Sequence, residues 1–228
     1  MISGAKKILV VAAHPDDEAL GAGGTILKHV AENDQVSVLI LSDGELSRGT
    51  GTSADVEKRR TNAKAAAKLL GARDLFLEKL PDNAFDSVPL LSIAKIVETY
   101  VSKIKPDIIY THHGGDLNVD HRLAFQAVIT ACRPQPGFFV KKILSFEVPS
   151  STEWNAGNAH KLFAPNFYND IGKTIDVKIE ALQPYKDEMR AYPHPRSFDG
   201  VRLLAKYRGM TVGYEYAEAF EIVRELND

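Results

Sequence analysis

The sequence is poor in cysteine, in net charge and in long apolar runs. Its single cysteine, Cys132, excludes an internal disulfide framework and any cysteine-rich zinc site. The 28 Lys and Arg residues nearly balance the 30 Asp and Glu residues, and a net charge of −2 argues against a nucleic acid or an anionic membrane as the main partner. The first apolar run, residues 8–13, is too short for a signal peptide or a membrane span. We therefore expect a cytoplasmic protein that binds no nucleic acid and does not insert into a membrane.

The rest of the composition is that of a globular protein. Hydrophobic residues make up 44% of the chain and charged residues 25%, the ordinary balance for a chain with a packed core. The length of 228 residues favours one domain over residues 1–228. Folding of such a domain buries about 70% of the surface of the unfolded chain, so no disulfide is needed to stabilise it.

Short apolar runs alternate with helix-like segments along the chain. The apolar runs predict strands at 8–13, 36–41, 74–80, 107–111, 142–148 and 217–224. Helices are predicted after the first strand to about residue 32, then at 55–70, 89–105, 122–132, 174–189 and 197–208. This alternation indicates a Rossmann-like single-domain α/β fold with a mostly parallel sheet and helices on both faces. Such sheets bind ligands at the carboxyl ends of their strands, so we expect the active site there.

The segment AHPDDE, residues 13–18, places His14, Asp16 and Asp17 where the first strand ends. Pro15 ends the strand, and His14 and Asp17 are spaced so that both can converge on one cation. Asp16 projects beside them. The plainer interpretation is that Asp16 or Asp17 caps the following helix and that His14 is a satisfied strand-end residue. Three titratable groups at the carboxyl end of a strand favour a functional site over this alternative.

The segment DLNVDH, residues 116–121, follows the fourth predicted strand. His121 can supply a third ligand from this neighbouring strand end. Three protein ligands leave a position open for water, as in catalytic zinc sites. Asp120 is placed to orient a histidine. Taken alone, however, this motif favours a capped helix start with a solvated histidine over a metal site.

Three motifs together resemble those of the LmbE-like, or PIG-L-type, metal-dependent N-deacetylases. They are AHPDDEALGAGGT near the N-terminus, SDGE after the second strand and NVDHR after the fourth, and the resemblance covers about residues 6–130 and extends loosely to the C-terminus. It implies a zinc enzyme, although ferrous iron, Fe²⁺, fits the same nitrogen and oxygen ligands. It also implies a small-molecule amino-sugar substrate that loses an N-acetyl group, and it allows a homo-oligomer.

The resemblance assigns a role to each matching residue. His14, Asp17 and His121 are the expected metal ligands, and Asp16 is the expected general base. These roles agree with the needs of amide hydrolysis, because zinc lowers the pKa of water from 15.7 to about 7 and a nearby carboxylate then takes up the proton.

The sequence departs from the family pattern at Asn118, where relatives often carry a histidine. The usual charged partner of the reacting carbonyl is therefore missing, and one donor to an oxyanion is worth ~10²–10³ in rate. We expect either the Asn118 amide or His194, acting as an imidazolium, to replace it. Pro193 and Pro195 stiffen the chain around His194, although a solvated histidine in a surface turn is the plainer interpretation.

Polar residues near the same edge are candidates for holding the sugar. Glu45 and Arg48 lie in the loop after the second strand, and Arg196 lies close to His194. An arginine there can bind a sugar hydroxyl or an anionic aglycone, although a solvated loop arginine is an equal expectation. Trp154, the only tryptophan, either stacks on a sugar ring or packs into the core.

Two other functions stay open. An amidase for a larger acyl group requires the same residues, since the size of the acyl group depends on the depth of the pocket. A non-catalytic sugar- or nucleotide-binding protein can keep the same fold, and Asn118 is a reason to consider it. The glycines of GAGGT, residues 21–25, miss the spacing of a dinucleotide fingerprint and are expected to allow close packing of helix on sheet.

Overall fold

One sheet of seven strands runs through the described part of the chain. The computed structural model describes residues 4–42, 53–136, 140–155 and 162–227. Within them the strands are Lys7–Ala12 (β1), Gln35–Ser42 (β2), Asp74–Leu80 (β3), Ile108–His112 (β4), Lys142–Phe146 (β5), Phe167–Asp170 (β6) and Ala217–Glu225 (β7). The helices are Asp17–Ala31 (α1), Ser53–Leu69 (α2), Leu90–Ile104 (α3), Val119–Ala131 (α4), Ile175–Ala181 (α5) and Phe198–Met210 (α6). Among these described helices, none is long and apolar enough to cross a membrane.

The order of the strands in the sheet is β3-β2-β1-β4-β5-β7-β6. The strands from β3 to β5 in this order are parallel, and β7 runs antiparallel to both β5 and β6. The predicted mostly parallel α/β sheet is therefore confirmed. The chain builds outward from β1 to β3 and then places β4 on the other side of β1, so the strand order reverses between β1 and β4. Open α/β sheets bind ligands in the crevice at such a reversal, outside the carboxyl ends of the strands.

The strand β1 is buried on both faces, as its continuous apolar run predicts. Ile8 and Val10 belong to one apolar cluster, to which α1 and α2 contribute, whereas Leu9 and Val11 belong to a second, to which α3 and α4 contribute. All four side chains are fully buried. Because side chains alternate between the faces of a strand, helices must lie on both faces of the sheet. The crevice therefore lies beside a strand that is buried on both faces.

The second half of the chain differs from the prediction in two elements. The helix predicted at 174–189 ends at Ala181, because Pro184 lacks a backbone N–H and the chain continues there as a 3-10 turn. The strand β6 was not predicted. It has only four residues and forms an edge of the sheet, so its apolar pattern is too short to be recognised.

The start of α4 also differs, and the difference bears on the crevice. The predicted start at residue 122 is wrong, because the helix begins at Val119. The side chain of Asn118 accepts the backbone N–H of Asp120 at 2.8 Å and so caps the helix. Asp120 and His121 therefore lie in the first turn of α4, where the helix geometry fixes their directions.

Close packing of α1 against the sheet is confirmed at its glycines. A Cβ atom on Gly21 would overlap the ring of Phe146, and a Cβ atom on Gly24 would lie 2.8 Å from the side chain of Ile171. Only glycine allows these approaches, which bring the first turn of α1 down onto the carboxyl end of the sheet.

A buried ion pair crosses α1 at the same level. Lys178 Nζ lies 2.6 Å from Oε1 of Glu218, and both side chains are buried. Lys178 also donates to the carbonyl of Leu20 at 2.8 Å. Glu218 accepts the backbone N–H groups of Gly24 and Thr25 at 2.8 and 2.7 Å. The pair thus forms hydrogen bonds with backbone groups in the middle of α1.

Replacement of Lys178 by Met is expected to lower the free energy of unfolding by about 3–5 kcal/mol, because the Glu218 carboxylate then stays buried without its counter-charge. Urea unfolding followed by circular dichroism measures the change. The pair between Lys58 and Asp187 is a matched control, since its charged atoms lie 2.7 Å apart but are exposed. Lys58→Met is expected to leave stability within experimental error of the wild type. Equal losses in the two variants would contradict the role of burial.

Candidate metal centre

The turn after β1 brings two carboxylates to the crevice. The helix α1 begins at Asp17, and Asp16 precedes it with a φ of 115°, a left-handed conformation that costs a non-glycine residue energy. Glu18 supports it, since its Oε2 accepts the N–H of Asp16 at 3.1 Å and its Oε1 accepts the hydroxyl of Tyr185 at 2.7 Å. Burial raises the pKa of Glu18 to about 8. Sequence reasoning missed this role, whose only signal was the glutamate that completes the HPDDE motif.

Three donor atoms meet at one point beside the β1–β4 crevice. Nδ1 of His14 lies 3.1 Å from Oδ2 of Asp17, and each of these atoms lies 3.3 Å from Nε2 of His121. Ligands about 2.0–2.1 Å from a tetrahedral zinc ion are separated from one another by about 3.3–3.4 Å, so the three atoms form a triangle of fitting size. We call this set the ligand triangle. Its side chains are buried or nearly so, and they fit a metal ion.

A carboxylate stands behind each histidine of the ligand triangle. Oδ2 of Asp120 lies 2.9 Å from Nε2 of His14. Oδ1 of Asp116 lies 3.1 Å from Nδ1 of His121, which is an ion-pair distance without the alignment of a hydrogen bond. Outer carboxylates of this kind fix the orientation of metal-binding imidazole rings. The sequence analysis expected this role for Asp120 and gave none to Asp116, although Asp116 begins the DLNVDH segment.

Asp82 is a further carboxylate at the crevice that sequence reasoning missed. Its Oδ1 lies 3.3 Å from Nε2 of His14, so that His14, Asp82 and Asp120 form a second group of candidate ligands. In this group Asp120 also accepts the backbone N–H of Phe85 at 2.9 Å. Two nitrogens and one oxygen suit zinc better than one nitrogen and two oxygens, which favours the ligand triangle. The available signal was position, because Asp82 follows β3 at the same edge of the sheet.

The carboxylates around the histidines attract positive charge into the crevice. Burial by itself lowers the pKa of His14, but Asp120 and Asp17 raise it to about 10. Burial likewise lowers the pKa of His121, but Asp17 and Asp116 raise it to about 9. Burial raises the pKa of Asp17, yet the neighbouring histidines hold it well below its usual value. A divalent cation would neutralise the same carboxylates, and its binding would release the protons of the imidazoles.

Asp16 lies in the same pocket but outside the ligand triangle. The pocket has a volume of about 180 Å³, and its lining includes Asp16, Arg59 and Arg196. Nη1 of Arg196 lies 3.1 Å from Oδ2 of Asp16. Burial raises the pKa of Asp16 to about 7, although the Arg196 guanidinium lowers it. The predicted base and one predicted substrate residue are therefore side by side, whereas Glu45 and Arg48 lie outside the described residues.

The two candidate oxyanion donors occupy different places. Asn118 lines the pocket, where its Oδ1 caps α4 and its Nδ2 donates to Oδ1 of Asn83 at 3.1 Å. His194 is not among the described residues that line the pocket, and its Nδ1 accepts the backbone N–H of Arg196 at 3.1 Å. An imidazolium carries a proton on that nitrogen, so the role expected for His194 requires this contact to break. Both roles stay predictions.

His112 is the last residue of β4 and His113 follows it, and the two rings have different surroundings. The ring of His112 stacks on His121 with centroids 3.9 Å apart, and its Nε2 accepts a backbone N–H at the end of β1. Nδ1 of His113 lies 2.8 Å from a carboxylate of β7. His112 therefore packs against the ring of the candidate ligand His121, whereas His113 lies outside the ligand triangle.

Known proteins resemble the chain in sequence and in fold. A family model described as PIG-L, GlcNAc-PI de-N-acetylase, matches residues 9–132. Diacetylchitobiose deacetylase from Thermococcus kodakarensis is 27% identical over 233 residues, which cover 96% of this chain and 83% of that protein. 4-oxalmesaconate hydratase from Pseudomonas putida is 30% identical over 200 residues, which cover 78% of this chain and 72% of that protein.

A solved structure extends the likeness of fold to nearly the whole chain. The N,N'-diacetylchitobiose deacetylase from Pyrococcus horikoshii has a TM-score of 0.76 and 22% identity, with 96% of this chain and 84% of that chain covered. The span matched by the family model is more than half of this chain and contains most of β1, all of β4 and the entire ligand triangle.

Proposed function

We propose that this chain, which belongs to the PIG-L family of de-N-acetylases, removes the N-acetyl group from an N-acetylglucosamine-type sugar or its conjugate. The observation that carries the proposal is the ligand triangle with Asp16 beside it in one pocket. Zinc is the proposed metal, since two imidazoles and a carboxylate suit it and leave a position open, and ferrous iron fits the same ligands. Zinc held there would polarise the amide carbonyl and lower the pKa of water.

Asp16 is the proposed general base. Its Oδ2 is bound to Arg196, so its Oδ1 is the atom that takes the proton from the attacking water and returns it to the leaving amine nitrogen. The contact with Arg196 holds the carboxylate in place before the reaction. Asp120 and Asp116 hold the two imidazole rings so that the donor atoms of the ligand triangle stay aimed at one point.

The remaining residue roles belong to the same proposal. Arg196, which lies in the pocket, binds the sugar together with Glu45 and Arg48. Asn118 has a second amide proton besides the one donated to its neighbour, and that proton is a donor for the oxyanion. His194 is the other candidate donor. A cytoplasmic location and a single domain over residues 1–228 complete the proposal.

Hydration of a carbon–carbon double bond is the second candidate reaction, because the hydratase is 30% identical over most of this chain. Both reactions need water to lose a proton beside an electrophilic carbon. Amide hydrolysis is preferred because it agrees with the family model and with the deacetylase relative. An amidase for larger acyl groups and a non-catalytic sugar- or nucleotide-binding protein are further outcomes that a substrate panel distinguishes.

Metal-loaded protein is expected to release acetate from N-acetylglucosamine or from N,N'-diacetylchitobiose. Assays of acetate and of free amine measure the reaction, and N-butyryl analogues test for larger acyl groups. Incubation with 4-oxalmesaconate, followed by ultraviolet absorbance, tests for hydration. Removal of the metal with a chelator is expected to abolish turnover, and added zinc is expected to restore it.

The contrary results of this panel are distinct from one another. Purified protein that contains no metal and takes up no zinc would end the proposal of a metal-dependent hydrolase. Sugar binding without turnover by metal-loaded protein would indicate a binding protein. Turnover of 4-oxalmesaconate alone would indicate a hydratase.

A further inference from the structure

Trp154 and His194 form an aromatic wall beside the pocket, which we call the Trp154 wall. Their ring centroids lie 5.6 Å apart and the rings are almost perpendicular. The Trp154 side chain is 48% exposed, so it does not pack into the core as one of the two sequence-based interpretations required. A tryptophan side chain combines a broad apolar face with one N–H donor, so an exposed one that adjoins a pocket is suited to contact a ligand.

Arg196 connects the Trp154 wall to the pocket. Its Nη1 reaches Asp16 inside the pocket, and its Nε donates to Oγ of Ser150 at 3.1 Å. Its backbone N–H donates to Nδ1 of His194. The residue therefore contacts the proposed base and both segments that carry the wall. The wall lies on the side of the pocket that Arg196 forms.

The segment that carries Trp154 is fixed relative to the ligand triangle. The hydroxyl groups of Ser151 and Thr152 donate to the carboxylate of Asp116, which stands behind the ligand His121. Within the same segment, the carboxylate of Glu153 accepts two backbone N–H groups. Contacts of this kind fix the backbone that carries Trp154, so the segment loses little freedom when the ring binds a ligand.

The size of the pocket determines which part of a substrate reaches the wall. Its volume of about 180 Å³ is below the ~300–1,000 Å³ that is usual for ligand pockets, and the proposal places a single sugar ring in it. The rest of a larger substrate must lie outside the pocket. An aromatic face there suits the C–H face of a second sugar ring. Because Nδ1 of His194 is an acceptor, its neutral ring carries a proton on Nε2, which can donate to a sugar hydroxyl.

We propose that the Trp154 wall binds the second pyranose ring of a disaccharide whose N-acetylated ring occupies the pocket. This inference rests on the proposed deacetylase function and assigns the substrate class. An anionic aglycone would need a positive charge that no carboxylate neutralises, but Arg196 pairs with Asp16 and Arg59, the other arginine of the pocket lining, pairs with Glu188. A neutral second sugar requires no such charge.

The fluorescence of Trp154 reports on the wall directly, because it is the only tryptophan in the chain. The Asp16→Asn variant, loaded with metal, is titrated with N,N'-diacetylchitobiose and, separately, with N-acetylglucosamine, and calorimetry establishes when each sugar saturates the site. We expect a saturable change in emission with the disaccharide that is several times larger than with the monosaccharide. An equal change with both sugars, or none at saturation with the disaccharide, would overturn the proposal.

Variants of Trp154 test the same point by kinetics in the active protein. Trp154→Ala is expected to lower kcat/KM for the disaccharide about tenfold more than for the monosaccharide, as for an aromatic contact residue, and Trp154→Phe is expected to restore most of the difference. Tyr214→Ala is the control, since Tyr214 is 45% exposed and lies outside the proposed site. If the ratio of kcat/KM for the disaccharide to kcat/KM for the monosaccharide were unchanged in Trp154→Ala, the proposed role of the Trp154 wall would be contradicted. The fluorescence titration needs no turnover, so it tests the wall even when the deacetylase proposal fails.

Discussion

Replacement of Asp16 by Asn is expected to lower kcat by ~10²–10⁴ while the metal content per chain stays unchanged. The amide keeps the shape of the side chain, and its oxygen can still accept from Arg196, but it cannot take up a proton. Asp16 is also outside both groups of candidate ligands at the crevice, so we expect the metal to stay bound in the variant. Initial rates of acetate release and elemental analysis of the same preparation measure the two quantities.

Two comparisons make this result specific. Asp176→Asn is a matched control, because Asp176 is an exposed carboxylate on α5 that pairs with Arg202. This variant is expected to keep full activity and full metal content. If Asp16→Asn lost the metal and Asp17→Asn kept it, the assigned roles of ligand and base would be reversed.

The second large effect is expected when a metal ligand is removed. It is an effect on the affinity for the metal, whereas the Asp16 variant affects proton transfer. His121→Ala deletes one of the three donor atoms of the ligand triangle, so its affinity for zinc is expected to fall by more than ~100-fold. Loss of an outer carboxylate usually costs ~10–100-fold, and Asp116→Asn is expected to fall in that range. Competition with a chelator of known affinity measures both variants without any need for turnover.

His113→Ala provides the control for this series. His113 follows the same strand as the DLNVDH segment, but its Nδ1 lies 2.8 Å from Glu221 and not at the ligand triangle. Its removal is expected to leave zinc affinity unchanged. If His121→Ala bound zinc as tightly as the wild type, the ligand triangle would be excluded as the metal site. The second group of candidate ligands would then be favoured, and Asp82→Asn would be expected to lower the affinity for zinc.

The sequence revealed the two halves of the candidate centre because each follows a short, buried strand. His14 and Asp17 come directly after β1, and His121 comes after β4. Parallel strands that lie side by side end at the same edge of a sheet, so residues after β1 and β4 are brought together once these strands are neighbours. The strand order therefore converts two local motifs about 100 residues apart into one cluster.

The side chains that complete the pocket could not be predicted from the sequence by the same signals. Asp82 carries no motif, and its relevance appears only when β3 is placed at the same edge of the sheet. Arg196 contacts Asp16 across 180 residues of sequence, and Asp116 receives hydroxyl groups from a loop about 35 residues further along. Asn118 shows the opposite case, since its cap on α4 is a local contact and its residue type is a common helix cap.

By itself, the sequence determined the α/β class, and it named His14, Asp17 and His121, whose donor atoms come together in the ligand triangle. Burial patterns and the polar residues after strands are local signals, so they can be recognised in the sequence without knowledge of the fold. Only the tertiary structure decided that Arg196 meets Asp16, that Asp116 and Asp120 stand behind the histidines, and that Trp154 is exposed beside the pocket. The physical reason is that these contacts join loops distant in sequence, whose side-chain directions depend on packing across the crevice and not on local periodicity.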